Sequence, residues 1–462
     1  MADRGKSVAA GKGSTFAGFL FLAVFGYFWI GLSPFPDPNA TSLSTPYGST
    51  SNVFNQLIVI AMSAVVLGTV LQNPARHLLL RPYGLLMGLL VWLLFTGLFA
   101  GDPSAAFRRL VFAILVCLCA NAMLFIPRNG EQFARLMCLG LTFTIGLSYF
   151  GVLLLPHLAI HQASDALEQS LAGDWRGHFG HKNVAAAAMV YAVFFGLYAR
   201  RSGHARLGFL ITLSAGFFVL HAGGKTSAAM LPAILLLAWI LERWTKLGVV
   251  MLLGGLVGLN LILLTAAVSP SFSSLLASAG IDPTFTDRGS IWRLALSAIA
   301  ERPIIGYGFQ SFWQTDALFN SGQAMTTWAV TAANSHNGYV EQLINGGIPA
   351  LVMTFIWLVV LPVGYARRAL AGSNDIALTR LFLRIWLFSL FLACLESPFF
   401  GNSGPIWFTM LIAVFGLRLQ ANAGLVVKEA DAPGSRVTPV PAPRIDATVL
   451  RRPVNLILSR RL

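Results

Sequence analysis

Runs of about twenty apolar residues, the length a helix needs to cross a bilayer, recur along nearly the whole of this chain. In order they fall at 16–33, 53–72, 82–100, 106–126, 133–155, 184–199, 207–222, 226–241, 247–267, 346–366, 379–397 and 403–419. Of the 462 residues, 56% are hydrophobic and only 11% are charged, whereas an ordinary soluble domain carries about 25% charged residues. Inside hydrocarbon a segment has to satisfy its own backbone hydrogen bonds, so runs of this length fold as helices. The expected fold is an all-α polytopic membrane protein with about 12 transmembrane helices. The shorter runs are read as tilted or partly inserted.

A net charge of +14 invites a nucleic-acid reading, but the placement of the charges speaks for membrane orientation. With the amino terminus inside, 24 of the 32 Lys and Arg residues fall on inner segments and eight on outer ones. Six inner groups agree independently with the positive-inside rule, so both termini are expected in the cytoplasm. The organisation then reads as a basic head at 1–15 and nine spans within 16–267, with outer loops at 34–52 and 156–183. A large, partly helical outer loop follows at 268–345, between spans nine and ten. Spans ten to twelve occupy 346–419, and a flexible basic tail at 420–462 is drawn to anionic lipid. No cleavable leader is evident. Cys117, Cys119, Cys138 and Cys394 all lie in apolar runs and read as core filler.

Chemistry concentrates on the outer face. Between Thr286 and Pro349 the chain first shows helical spacing, with Ile291, Leu294, Ala295, Ala298 and Ile299 on one side and Arg288 at the leading end. Gly306-Tyr-Gly308 breaks that helix. Asn334-Ser-His336-Asn337 then leads into another, which ends near Asn345-Gly-Gly347. Arg176, Lys182, Lys225 and Arg288 come from different loops, each next to a small residue. A cation at the rim of a bilayer needs a partner. Taken singly, each reads as paired with an outer acid such as Asp165, Asp174 or Asp287. As a set they suit a lipid phosphate or pyrophosphate.

His336 is the leading candidate for a base. It stands among Asn334, Ser335 and Asn337 on the side of the cations, and positive neighbours would keep its imidazole neutral. His181, His178 and His221 are weaker candidates, since a lone histidine in a membrane protein is commonly a hydrogen-bonded core residue. Glu396, at an outer span end, reads as an orienting or ion-pairing group. His157 and His161, with Asp165 beyond, have the i, i+4 spacing of a helical metal pair. No metalloprotease glutamate follows His157, so no metal is expected. Gly223-Gly-Lys225-Thr resembles the end of a P-loop but lacks its spacing and faces outward. Neither nucleotide nor nucleic acid is expected.

The order of these features resembles the O-antigen ligase and Wzy-type polymerase superfamily of bacterial envelope glycosyltransferases. The shared pattern comprises Gly177-His-Phe-Gly-His-Lys-Asn183, the basic turn at Lys225, and Arg288 with Trp292 ahead of Gly306-Tyr-Gly308-Phe. It ends with Ser335-His336-Asn337 and Gly346-Gly347. The resemblance covers most of 170–420, and its last two motifs are the most specific. It implies a GT-C-like inner-membrane transferase with a periplasmic catalytic loop. Such an enzyme moves a glycan from undecaprenyl pyrophosphate to an acceptor, in the ligases a sugar of lipid A–core, with no cofactor, metal or nucleotide. His336 would act as base, and Arg288, Lys225, Lys182 and Arg176 would hold the pyrophosphate. His181, Asn183, Asn337 and Glu396 would support them. One departure is Lys225, where arginine is common, which weakens a bidentate phosphate contact there. The alternatives are a Wzy-type polymerase, a protein O-oligosaccharyltransferase and, outside the enzymes, a lipid-linked glycan flippase. A transporter would place charges near mid-membrane, and the span centres here carry almost none.

Overall fold

The computed structural model describes residues 2–37, 53–73, 76–79, 84–165, 169–321, 327–372, 375–401 and 404–422. Most of the outer loop expected at 34–52, and the tail from 423 onward, lie outside the described residues. Each of the twelve apolar runs is helical. The longer helices of the first half are α1 (Ala2–Trp29), α2 (Val53–Leu71), α3 (Gly84–Gly97), α4 (Pro103–Met123), α5 (Gly130–Leu154) and α6 (Lys182–Ala199). After these come α7 (Ala205–His221), α8 (Lys225–Arg243), α9 (Thr245–Val268), α10 (Arg288–Glu301), α11 (Gly338–Gly372), α12 (Ile376–Leu392) and α13 (Pro405–Asn422). Among the described residues there is no strand, only an isolated bridge between Ile160 and Trp175. Seven of these helices, α2, α4, α5, α6, α8, α9 and α11, are long and apolar enough to cross a membrane. Thr15–Trp29, α3 and α7 are shorter apolar helices. The all-α polytopic expectation holds.

Local chemistry sets the helix ends. Asp102 accepts from Ala105 N ahead of Pro103, Asn129 from Gln132 N and Asp375 from Leu378 N, each satisfying a first-turn donor left without an intrahelical partner. The core gathers around α6. Its run Ala185–Ala188 and most residues after it are fully buried, and α5, α7, α8, α12 and α13 pack on it. Small residues bring α6 and α7 close, as close-packed membrane helices require. A Cβ on Gly196 would lie 2.4 Å from Thr212 Oγ1, and one on Gly208 2.6 Å from Gly196 O. Tyr191 and Ser389 join α6 to α12 through a 2.8 Å hydroxyl contact. The outward faces of α2 and α9 remain apolar and exposed, with Leu57, Ile60, Val250 and Leu261 among them. In a soluble protein such faces would be an aggregation hazard; in a bilayer they meet lipid.

α11 is two helices joined at a corner. Gly346 and Gly347 leave helical geometry, Gly347 with φ +67° and ψ −164°, a region essentially confined to glycine. The loop after α10 fills the gap. Tyr307 N donates to Ile344 O at 2.8 Å, Ile348 N to Pro303 O at 2.8 Å, and Trp92 Nε1 to Gly346 O at 2.7 Å. A Cβ on Gly347 would stand 2.0 Å from Ile304 O. Gly347→Ala is therefore expected to destabilise the protein by about 3 kcal/mol or more. Thermal unfolding in detergent should show a lowered midpoint, whereas Gly364→Ala, with open space around its Cβ, should not.

Candidate active site

The helical reading of 286–301 places Arg288 at the head of α10, where Ile291, Trp292, Leu294, Ala295 and Ala298 are buried. The approach to it is strained. Phe285, Thr286 and Asp287 all have positive φ, at 49°, 62° and 63°, which non-glycine residues adopt at a cost. His336 shares the trait at φ +49°. Its turn is held from every side. Ser335 N donates to Glu341 Oε2 at 2.8 Å, and Trp313 Nε1 reaches the same oxygen at 3.1 Å. Trp292 Nε1 donates to Ser335 O at 2.9 Å. Asn337 is wholly buried and caps the helix behind, its Oδ1 accepting from Tyr339 N and Val340 N. Its Nδ2 donates to Asn260 Oδ1 at 2.8 Å and Cys394 O at 3.0 Å. The backbone of His336 is thus fixed by neighbours, and its side chain remains about one-third exposed at 32%.

What faces that side chain is a carboxylate. Glu396, in the turn after α12, places Oε2 3.1 Å from His336 Nδ1 and Oε1 2.7 Å from Arg288 Nη2. Asn183 Nδ2 donates to Oε1 at 2.9 Å, and the other arm of Arg288 donates to Leu395 O. Burial pushes the Glu396 carboxyl up, but the hydrogen bond from His336 and the positive charge of Arg288 outweigh it and hold the group at about 2. An ionised carboxylate only accepts, so the hydrogen between it and His336 sits on Nδ1. With its hydrogen on Nδ1, a neutral imidazole in this place presents Nε2 as an acceptor. Positive neighbours are expected from the sequence on this side of His336; the charged group it contacts is Glu396, which Arg288 shares.

The other expected residues divide. Lys182, in the first turn of α6, pairs with Asp174 at 2.5 Å, and the Asp174 carboxylate lies against Gly223, where a Cβ would be 2.1 Å away. Lys225 follows on that turn and is exposed. His181 caps α6, its Nδ1 accepting from Asn183 N at 3.0 Å, so it positions Asn183. Arg176 is completely buried, one arm reaching Gly180 O at 3.4 Å. In this arrangement it braces the loop and does not line the rim. His178 is a satisfied core histidine, bonded to Ser148 Oγ at 2.8 Å and Trp29 O at 3.0 Å. Burial pushes its imidazole down to about 4, against the Trp29 hydrogen bond. The helical metal pair does not form, because the short helix Pro156–Ala159 ends before His161. His161 instead lies 3.4 Å from Asp165. Of the residues singled out in the sequence, the structure brings Arg288, His336, Asn183 and Glu396 together. No motif in the sequence marks a role for Asn260, Trp313 or Glu341. A lone Asn inside an apolar run was the available signal for Asn260.

A family model described as O-Antigen ligase matches residues 207–355, which hold Lys225, Arg288 and the His336 turn. Over that stretch, about a third of its length, the chain is similar to the O-Antigen ligase family. A relative in the same direction is the exopolysaccharide production protein ExoQ of Rhizobium meliloti (strain 1021), 25% identical over 107 residues. That stretch is 22% of this chain and 24% of ExoQ, so the shared part spans about a quarter of the relative's length. Asn183 and Glu396 lie outside the matched stretch, yet Glu396 touches both Arg288 and His336, and Asn183 bonds to Glu396.

Proposed function

We propose that this protein is an O-antigen ligase. It transfers a glycan from undecaprenyl pyrophosphate to a sugar hydroxyl of lipid A–core, on the periplasmic side of the bacterial inner membrane, with both termini cytoplasmic. The observation that carries the reading is the Glu396 carboxylate held between Arg288 and His336, which leaves His336 Nε2 as a partly exposed acceptor. In the reaction the acceptor hydroxyl attacks the anomeric carbon as the bond to the pyrophosphate oxygen breaks. His336 Nε2 takes the hydroxyl proton, and the leaving group departs as undecaprenyl pyrophosphate. A single displacement inverts the anomeric centre. Negative charge grows on the pyrophosphate as the bond breaks, and fixed cations stabilise it most when already in place. Arg288 keeps unused N–H groups beside Glu396, and Lys225 is exposed at the same face. Lys182 joins them if the donor displaces Asp174.

This account makes the protein's own cations do the work of a metal. Transfer by purified protein is expected to survive exhaustive chelation, while Arg288→Lys loses much of it because a point charge cannot replace the planar fork. Activity abolished by chelator and restored by Mg²⁺ would overturn the assignment. Reconstitution with lipid-linked glycan and lipid A–core should yield glycosylated lipid A–core. A second reading is favoured by the kinship with ExoQ, whose name places it in exopolysaccharide production. On that reading the chain is a Wzy-type polymerase, and the product is a lengthened lipid-linked glycan. Glycosylated protein would instead point to an O-oligosaccharyltransferase, and donor translocation without product to a flippase.

A further inference from the structure

At the membrane end opposite Glu396, α6, α8 and α12 bring together a second charged cluster. α12 runs 17 residues from this end to the turn that carries Glu396, roughly 25 Å of helix. Arg380 donates through Nε and Nη2 to Glu242 Oε2, each at 2.9 Å, which occupies that oxygen of the Glu242 carboxylate. Arg384 lies one turn deeper on the same face of α12. Its Nε is buried and has no hydrogen-bond partner among the described residues, although the residue as a whole is partly exposed. Arg201, just beyond α6, is exposed and within electrostatic reach of Arg384, as are Arg380 and Glu242. Three cations therefore face one anion. Asp375, another acid at this end, caps Leu378 N and lies beside Gly130, which Glu131 follows. An arginine so far inside an apolar helix calls for an anionic partner.

Two tryptophans give the depth of this cluster. Trp239 and Trp244 are 52% and 50% exposed, with their rings 5.2 Å apart and nearly perpendicular. Exposed tryptophans at the end of an apolar helix settle at the headgroup level of a bilayer. Trp239 lies three residues before Glu242, so the two are neighbours on the surface of α8. The exposed flank beside them, Leu236, Leu247 and Val250, is apolar and suits acyl chains.

We propose that Arg384, with Arg380 and Arg201, binds the phosphate of an anionic phospholipid in the leaflet at this face, which is the inner leaflet in the orientation proposed above. The guanidinium fork fits phosphate oxygens, the excess positive charge selects an anionic headgroup, and the tryptophan pair flanks it. The site is separate from glycan transfer and does not depend on it. The test is native mass spectrometry of the purified full chain in detergent with equal amounts of phosphatidylglycerol and phosphatidylcholine. Wild-type protein should retain phosphatidylglycerol preferentially, and Arg384→Gln should cut that retention about tenfold. Arg243→Gln, an exposed charge at the end of α8, should leave it unchanged. Should Arg384→Gln fail to fold, Arg201→Gln decides the matter by lowering retention about threefold. Equal retention of the two lipids overturns the proposal, as does retention indifferent to both substitutions. Displacement of the lipid by millimolar inorganic phosphate would show a soluble-anion site and overturn the lipid assignment.

Discussion

His336→Ala is expected to lower the initial rate of transfer by about 10²–10⁴-fold, the usual contribution of a general base and equivalent to roughly 3–5 kcal/mol of barrier. The protein should stay folded, because the turn is held by Ser335, Trp292, Glu341 and Asn337 and not by the imidazole. It should also still bind lipid-linked glycan, since the cations are untouched. Near-normal transfer by a folded His336→Ala protein would move the search to His181 or to Glu396 itself.

Glu396 is expected to matter twice. Glu396→Ala leaves Arg288, Asn183 and His336 Nδ1 without their common acceptor. It should cost about 2–3 kcal/mol of stability, somewhat below a fully buried pair because these side chains keep some exposure to water. Glu396→Gln preserves the shape but not the charge, and should slow transfer about 10²–10³-fold by releasing the imidazole from its working orientation. The carboxyl sits well below its ordinary value of 4.5, at about 2. The folded state therefore binds this proton less readily than the unfolded chain. Its contribution is complete above about pH 4.5 and is lost as the pH falls toward 2. Wild-type stability, followed by unfolding across that window, should fall more steeply than that of Glu396→Gln. Parallel curves would show that Glu396 is not the group that titrates.

Much of this was legible in the residues because the solvent dictates it. A bilayer demands apolar helices, and helices occur at each place the runs mark. Gly346-Gly347 and Gly306-Tyr-Gly308 announced breaks that prove to be one corner, with each motif filling the space the other leaves. The helical stripe of Ile291, Leu294, Ala295 and Ala298 packs as its spacing implied. Charge pairing was less legible, since it depends on how distant segments meet. Nothing in the sequence ties Asn183 to Glu396, 213 positions apart. Nothing in it distinguishes Lys182, matched by Asp174, from Lys225, which stays exposed. Arg176 looked equivalent to both and is buried. The role of Glu341 was also hidden, because the turn it clamps forms only when the segments carrying Trp313 and Ser335 fold together.

The central claim is that His336 and Glu396 act as one unit, the carboxylate aiming the base. The most direct measurement is a double-mutant cycle on transfer rate with His336→Ala, Glu396→Gln and the two combined, each protein checked for fold and donor binding. Residues that act as a unit are strongly non-additive. The double variant is therefore expected to be about as slow as His336→Ala alone, because a carboxylate has nothing to aim once the imidazole is gone. Losses that multiply would mean that the two act independently, and would contradict the account.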